Sequence, residues 1–262
     1  IVMWVPASDD AFVAVAHTRP GGAATLFYRD IVGERIRPQW QAQVREAFTS
    51  PGIIDSSSPE WFEETPTRVR AVPIVRKVDG EHVVMGVLTR HTNLGDVRAP
   101  SRQQITFNDC ADDIFRMIAT GDFPDLSAPT GPRRGAPRAA DGLIRLDVDG
   151  VVTFASPNAL SAFNRVGFAE ELEGESLAEV TSRILPAARD IDESLPVVVT
   201  GRAPWRTDIE ARGVTVSLRA IPLRDHGNRT GAIVLCRDVT EIRHQEQELI
   251  TKDATIREIH HR

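Results

Sequence analysis

Apolar positions along the chain change period several times, and each change predicts an element. The runs Phe12 to His17 and Val69 to Val75 are rich in β-branched residues and read as strands. Asp79-Gly80 separates the second run from another, His82 to Thr89. An Asp-Gly step between two β-rich runs predicts a hairpin, because both turn positions favour positive φ. Alternation in these strands is imperfect, which predicts a sheet covered on both faces over part of its width. From Ser101 to Thr120 the period lengthens, and Phe107, Cys110, Ala111, Ile114, Phe115 and Ile118 fall on one helical stripe. Gly121 and Pro124 close that helix. A shorter helix carrying Trp40, Val44, Ala47 and Phe48 precedes Pro51-Gly52.

The pattern then lapses. Residues 124–140 are rich in Pro and Gly and poor in apolar side chains, so they cannot bury enough surface to fold alone and read as a linker. Residues 141–240 resume with a second Asp-Gly hairpin, Leu143 to Asp147 and Val151 to Ala155 around Asp149-Gly150. Ser156-Pro157-Asn158 opens a short helical run through Phe163 to Gly167. Three closely spaced strands follow, Thr207 to Arg212, Val214 to Ile221 and Gly231 to Arg237, with Gly213 and the run His226 to Gly231 as turns. In the middle strand Val214, Val216, Leu218 and Ala220 share a face. In residues 241–262, Ile242, Leu249 and Ile256 repeat at seven among mainly charged positions, with Ile259 beyond. So thin a seam buries little alone and predicts one strand of a two-helix coiled coil, hence a homodimer.

The fold class is therefore α+β. Two tandem domains, 1–123 and 141–240, each form an antiparallel sheet flanked by helices, and a C-terminal signalling helix follows. Hydrophobic residues at 41% and charged residues at 26% supply two cores without staples. A net charge of −6 with both signs interspersed argues against a nucleic-acid face. Cys110 and Cys236 lie in apolar stretches without Cys-x-x-Cys spacing, which predicts buried thiols and no metal site built on them. No apolar run reaches the ~20 residues of a membrane span, and no signal peptide is visible, so a cytoplasmic location is expected. Ile1 to Pro6 read as part of a strand, which makes residue 1 a fragment boundary.

Residues 141–240 resemble a PAS domain. The opening Asp-Gly hairpin, Ser156-Pro157-Asn158-Ala159 and Gly167 match the family's first strands and helix, and Asp238-Val239-Thr240-Glu241 matches its Asp-x-Thr exit motif. In that motif Asp238 can accept backbone N–H bonds and Thr240 can cap the helix that starts there. Residues 1–123 resemble a GAF domain more loosely, through Val72-Pro73-Ile74, the Asp-Gly turn, Gly86-Val87-Leu88 and the long helix after them. The tail from Thr251 to Arg262 resembles the start of the dimerisation and phospho-acceptor helix of the second histidine-kinase family. Together they resemble the cytosolic actinobacterial kinases of the phosphorylation-dependent transcription antitermination system.

That resemblance implies a dimeric sensor kinase. It would move the γ-phosphoryl of ATP to a histidine and then to a response regulator with an RNA-binding antiterminator domain. ATP and Mg would belong to a kinase domain beyond residue 262, so this chain alone would be inactive. The family's box places the acceptor directly before Arg, which is His261, with His260 as runner-up. Neutral imidazole is the nucleophile, and an unperturbed pKa near ~6.5 supplies it. Glu258, three residues before His261, shares its helical face and can orient the ring.

For the sensory ligand the residues name no class. Phe154, Asn158, Phe163 and Trp205 are the pocket candidates of the second domain, although aromatic side chains in so small a domain also serve as core. His17, His82, His91 and His226 lack companion ligands at useful spacing, which argues against haem. Two alternatives stay open: the same sensor serving a nucleotide cyclase or phosphatase, and a dimerisation scaffold without a ligand.

Overall fold

The computed structural model describes residues 1–18, 26–56, 59–95, 99–128, 138, 140–185 and 193–261, with side chains through residue 253. Two compact units divide the chain, Ile1–Pro124 and Asp125–Arg262. Both are antiparallel sheets with helices, the α+β class.

In the first unit the elements are β1 (Val2–Pro6), β2 (Phe12–His17), α1 (Pro38–Thr49), β3 (Ile54–Asp55), β4 (Glu60–Phe62), β5 (Thr65–Val78), β6 (Glu81–Asn93) and α2 (Arg102–Thr120). The strand order is β2-β1-β6-β5-β3, with β4 also paired to β5. Asp79 (φ 50°) and Gly80 (φ 84°) turn β5 into β6, as an Asp-Gly hairpin requires. Gly86 permits the close approach of β6 to β1, since a Cβ there would lie 2.5 Å from the Trp4 carbonyl oxygen. Helix α1 starts on Pro38, whose missing N–H costs nothing in a first turn, and buries Trp40, Val44 and Ala47. Helix α2 opens on a reciprocal capping box, Ser101 with Gln104, and closes on left-handed Gly121. Its buried residues are Cys110, Phe115 and Met117, whereas Phe107 is 37% exposed. The predicted stripe thus has the right length and a different centre, because packing partners rather than periodicity choose which edge of an apolar stripe is covered.

The second unit comprises β7 (Gly142–Leu146), β8 (Val152–Ala155), α3 (Pro157–Arg165), α4 (Leu177–Ile184), α5 (Leu195–Val199), β9 (Arg206–Ala211), β10 (Val214–Asp225), β11 (Asn228–Asp238) and α6 (Thr240–His261). Its strand order is β8-β7-β11-β10-β9, all pairs antiparallel. Ser156 caps α3 by accepting the Ala159 N–H, and Pro157 occupies the first turn. The run His226 to Gly231 is not one long turn. Only His226 (φ 48°) and Gly227 (φ 83°) reverse the chain, and Asn228 already pairs with Asp225. Ile144, Leu146, Leu172, Leu177, Ile209, Val216 and Leu218 fill the space between sheet and helices.

Candidate functional site

The exit from the second unit is built where β11 ends. Val239 donates its N–H to the Thr215 carbonyl at 2.9 Å, so the ladder with β10 runs up to the first residue of the helix. Asp238 Oδ1 accepts the Thr240 N–H at 2.9 Å and the Thr240 hydroxyl at 2.6 Å. The Thr240 Oγ1 in turn accepts the Thr215 N–H at 2.9 Å. Sequence reasoning gave the helix cap to Thr240. The geometry gives the capping carboxylate to Asp238 and uses Thr240 as a bridge from helix to sheet, because Thr240 is itself the first helical residue.

Charged pairs hold this root from three sides. Arg165, at the end of α3, reaches Asp238 Oδ2 at 2.5 Å. Arg243, one turn into α6, pairs with Asp208 on β9 and with Glu246. Arg237 grips Asp141, the residue before β7, through Nε at 2.7 Å and Nη2 at 2.6 Å. Burial works to raise the Asp238 carboxyl, but the Thr240 hydrogen bonds and Arg165 outweigh it and hold the group below its ordinary value. Arg237 and Arg243 are held above theirs by the same partners.

From this root α6 runs as a single helix to His261. Arg243 and Glu246 are half-buried, while Ile242 (43%), Leu249 (64%) and Ile250 (62%) are exposed. The seam of Ile242 and Leu249 therefore points away from the covered side of the helix. Glu258, His260 and His261 lie on the backbone of α6, and their side chains are outside the described residues.

The four pocket candidates are not gathered around one space. Phe163 is fully buried in the core. Phe154 is buried on the opposite face of β8, because a bulge between its pairing with Arg145 and that of Val152 with Leu146 shifts the alternation there. Asn158 is exposed and donates from Nδ2 to the Ala140 carbonyl at 3.1 Å. Trp205 is 37% exposed at the rim.

A constellation that sequence reasoning missed lies in the first unit. His17 on β2 and His91 on β6 both pack edge-on against Phe27, at 5.0 and 5.1 Å between ring centroids. His91 also meets Trp40 at 4.4 Å, and Trp40 stacks on Phe62 at 5.6 Å. Trp4 Nε1 donates to Thr89 Oγ1 at 2.8 Å, and that hydroxyl lies 3.0 Å from His91 Nε2. Among the described residues His91 Nδ1 is buried without a hydrogen-bond partner. Burial pushes the His91 pKa down to about 3, with positive groups nearby adding to the effect, so the ring is neutral. The signal in the sequence was Val87, Thr89 and His91 at alternate positions, which puts all three on one face. His226, by contrast, is a surface residue at a turn beside Asp225. Among the described residues no three His, Cys, Asp or Glu side chains are grouped to hold a metal ion, and no helix is long and apolar enough to cross a membrane.

Residues 1–111 match the family described as "Histidine kinase PdtaS, GAF domain", and residues 138–244 match "PAS fold". The sensor histidine kinase PdtaS of Mycolicibacterium smegmatis is 38% identical over 268 residues, covering 100% of this chain and 52% of that protein. Its counterpart in Mycobacterium tuberculosis (strain CDC 1551 / Oshkosh) is 38% identical over 271 residues, 100% of this chain and 53% of that protein. A solved structure, "Sensor region of a sensor histidine kinase", shares 36% identity at a TM-score of 0.71, covering 92% of this chain and 85% of that one. The chain belongs to the sensor histidine kinase family, as its GAF–PAS sensor region. It spans about half the length of the curated relatives it matches.

Proposed function

We propose that this chain is the input region of a dimeric, cytoplasmic sensor kinase that controls autophosphorylation on His261 and transfer onward to a response regulator. The observation that supports this most is the uninterrupted path from β11 through the Asp238 root into α6, a helix of 22 residues that ends on the His260-His261 pair. A change of packing in either unit reaches the histidine by biasing this helix, a shift between two arrangements of a helix pair rather than direct chemistry. The exposed seam of Ile242 and Leu249 supports dimerisation through α6. ATP and Mg are handled by a kinase domain outside these 262 residues, where positioning and charge neutralisation carry the phosphoryl transfer. The partner regulator carries an RNA-binding antiterminator domain.

The test uses the full-length protein with γ-labelled ATP. Acid-labile, alkali-stable label that disappears in His261→Gln and persists in His260→Gln is the expected outcome. The reverse moves the acceptor by one residue, and label retained in both variants overturns the assignment. Glu258→Gln should slow labelling, and an unchanged rate removes Glu258 from the mechanism.

A further inference from the structure

The point where the chain runs into β7 and the point where it leaves β11 are bridged by an ion pair just beyond the last paired residues of the two strands, Gly142 and Cys236. Asp141 and Arg237 lie 96 residues apart, and their side chains are only 8% and 17% exposed. The contact is bidentate, the geometry in which a guanidinium and a carboxylate bind most strongly and with fixed orientation. Asp141 also shapes the chain before β7, since its Oδ2 accepts the Arg138 N–H at 2.9 Å and its own N–H donates to the Arg138 carbonyl at 3.0 Å.

There is little slack around the pair. Gly142, the next residue, pairs with Cys236, and a Cβ there would lie 2.5 Å from Cys236 Sγ and 2.6 Å from the Ala159 backbone. Helix α3 touches both ends of the same unit. Its first turn holds the Ala140 carbonyl through Asn158, and its last residue, Arg165, holds Asp238. On the other side of the root, Arg243 pairs with Asp208 on β9. Arg237 immediately precedes Asp238, whose carboxylate starts α6.

We infer that Asp141 and Arg237 are a positioning pair through which displacement of the chain before β7 is passed to the root of α6. The physical reason is a choice between two responses. A shift at Asp141 either separates two poorly solvated charges, which is strongly unfavourable, or carries Arg237 and the adjoining Asp238 with it. Burial works to raise the Asp141 carboxyl, and Arg237 more than offsets it, so the charged pair persists. The inference rests on α6 being the output helix, and its test is separable from the kinase reading.

Backbone hydrogen exchange on this chain decides it, comparing wild type with Arg237→Gln, Asp141→Asn, Arg237→Lys and the swapped pair Asp141→Arg with Arg237→Asp. In each of the first two variants, exchange in Gly142–Leu146 and in the first turn of α6 should rise together by roughly tenfold, the factor carried by one charge-assisted hydrogen bond. Exchange in β9 and β10 should stay unchanged, and Arg237→Lys or the swap should restore part of the protection. A rise confined to one of the two segments overturns the coupling. So does a uniform rise that includes β9 and β10, which marks a brace for the whole fold. In the full-length protein the labelling rate on His261 should change severalfold in Arg237→Gln. An unchanged rate despite coupled exchange overturns the relay. If wild type itself takes no label, the kinase reading fails and the exchange data still decide this one.

Discussion

The main cores of the two units differ in chemistry. The first packs Trp4, Phe12, Phe27, Trp40 and Phe62 against Val2, Val44 and Val69, and sets His17 and His91 among the rings. The second packs Ile144, Leu146, Leu172, Leu177, Val198 and Leu218 around Phe163, with charged pairs at the root of α6 outside that core. An aromatic interior with polar handles sets an indole N–H and imidazole nitrogens among its rings, so its stability answers to protonation. The aliphatic interior holds the Cys236 thiol, which burial pushes up to about 12, so that thiol does not titrate near neutral pH. The first core therefore holds a buried group whose ordinary titration lies near neutral pH, and the second does not.

Trp40→Ala gives the sharpest test of the contrast. It removes the ring that links His91, Phe62 and Phe27 and should cost the first unit about 3–5 kcal/mol. Hydrogen exchange in β5 and β6 should rise accordingly while β10 and β11 keep their protection, and an equal rise in both sheets would show that the two cores are not independent. Leu218→Ala is the mirror experiment, with an expected loss of about 2–5 kcal/mol confined to the second sheet. That loss should be the same at pH 5 and pH 7, and a pH-dependent loss would contradict the assignment of an inert aliphatic core.

Acid should separate the units next. A His whose folded pKa is depressed binds its proton in the unfolded state first, so the first unit loses stability as pH falls below the ordinary histidine value of 6.5. The slope is at most about 1.4 kcal/mol per pH unit. Burial raises the Glu60 carboxyl, and its protonation in the folded state begins to offset the loss near the carboxylate range. The His91 contribution is therefore lost progressively from pH 6.5 down to its folded value of about 3. In the second unit the depressed groups are Asp141 and Asp238, whose contribution is full above the ordinary Asp pKa of ~3.9 and disappears only as pH falls through their lower folded values. Denaturant midpoints followed from about pH 2 to 8 check both windows, and a slope that survives His91→Phe would assign it elsewhere. The smallest effect is expected from Thr240→Val, which deletes the bridge from α6 to Thr215 at a cost of about 1 kcal/mol. Exchange should rise in the first turn of α6 with the core strands unmoved.

Local chemistry was readable directly. Asp79-Gly80 and Asp149-Gly150 announce hairpins because few other residues tolerate positive φ, and the change of period after Ser101 announces α2. The division into two α+β units, the long final helix and the placing of Asp238 at its start were legible for the same reason: each depends on neighbours in sequence. The two-residue strand β3 and the three-residue β4 were not, since segments so short carry no period and exist only because β5 offers them an edge.

What the tertiary structure alone decided is which side chains meet. Phe154 was a pocket candidate alongside Phe163, and a bulge in β8 places it on the opposite face of the sheet from that core. His17 and His91 lacked companions in sequence, and the pairing of β1 with both β2 and β6 brought them to the same ring of Phe27. Asp141 and Arg237 are ordinary surface types in the sequence, and the register of β7 against β11 made them a shielded, bidentate pair. Turns and periods are written in adjacent residues because backbone sterics act locally. Long-range pairs depend on strand register, which is set by the packing of the whole sheet.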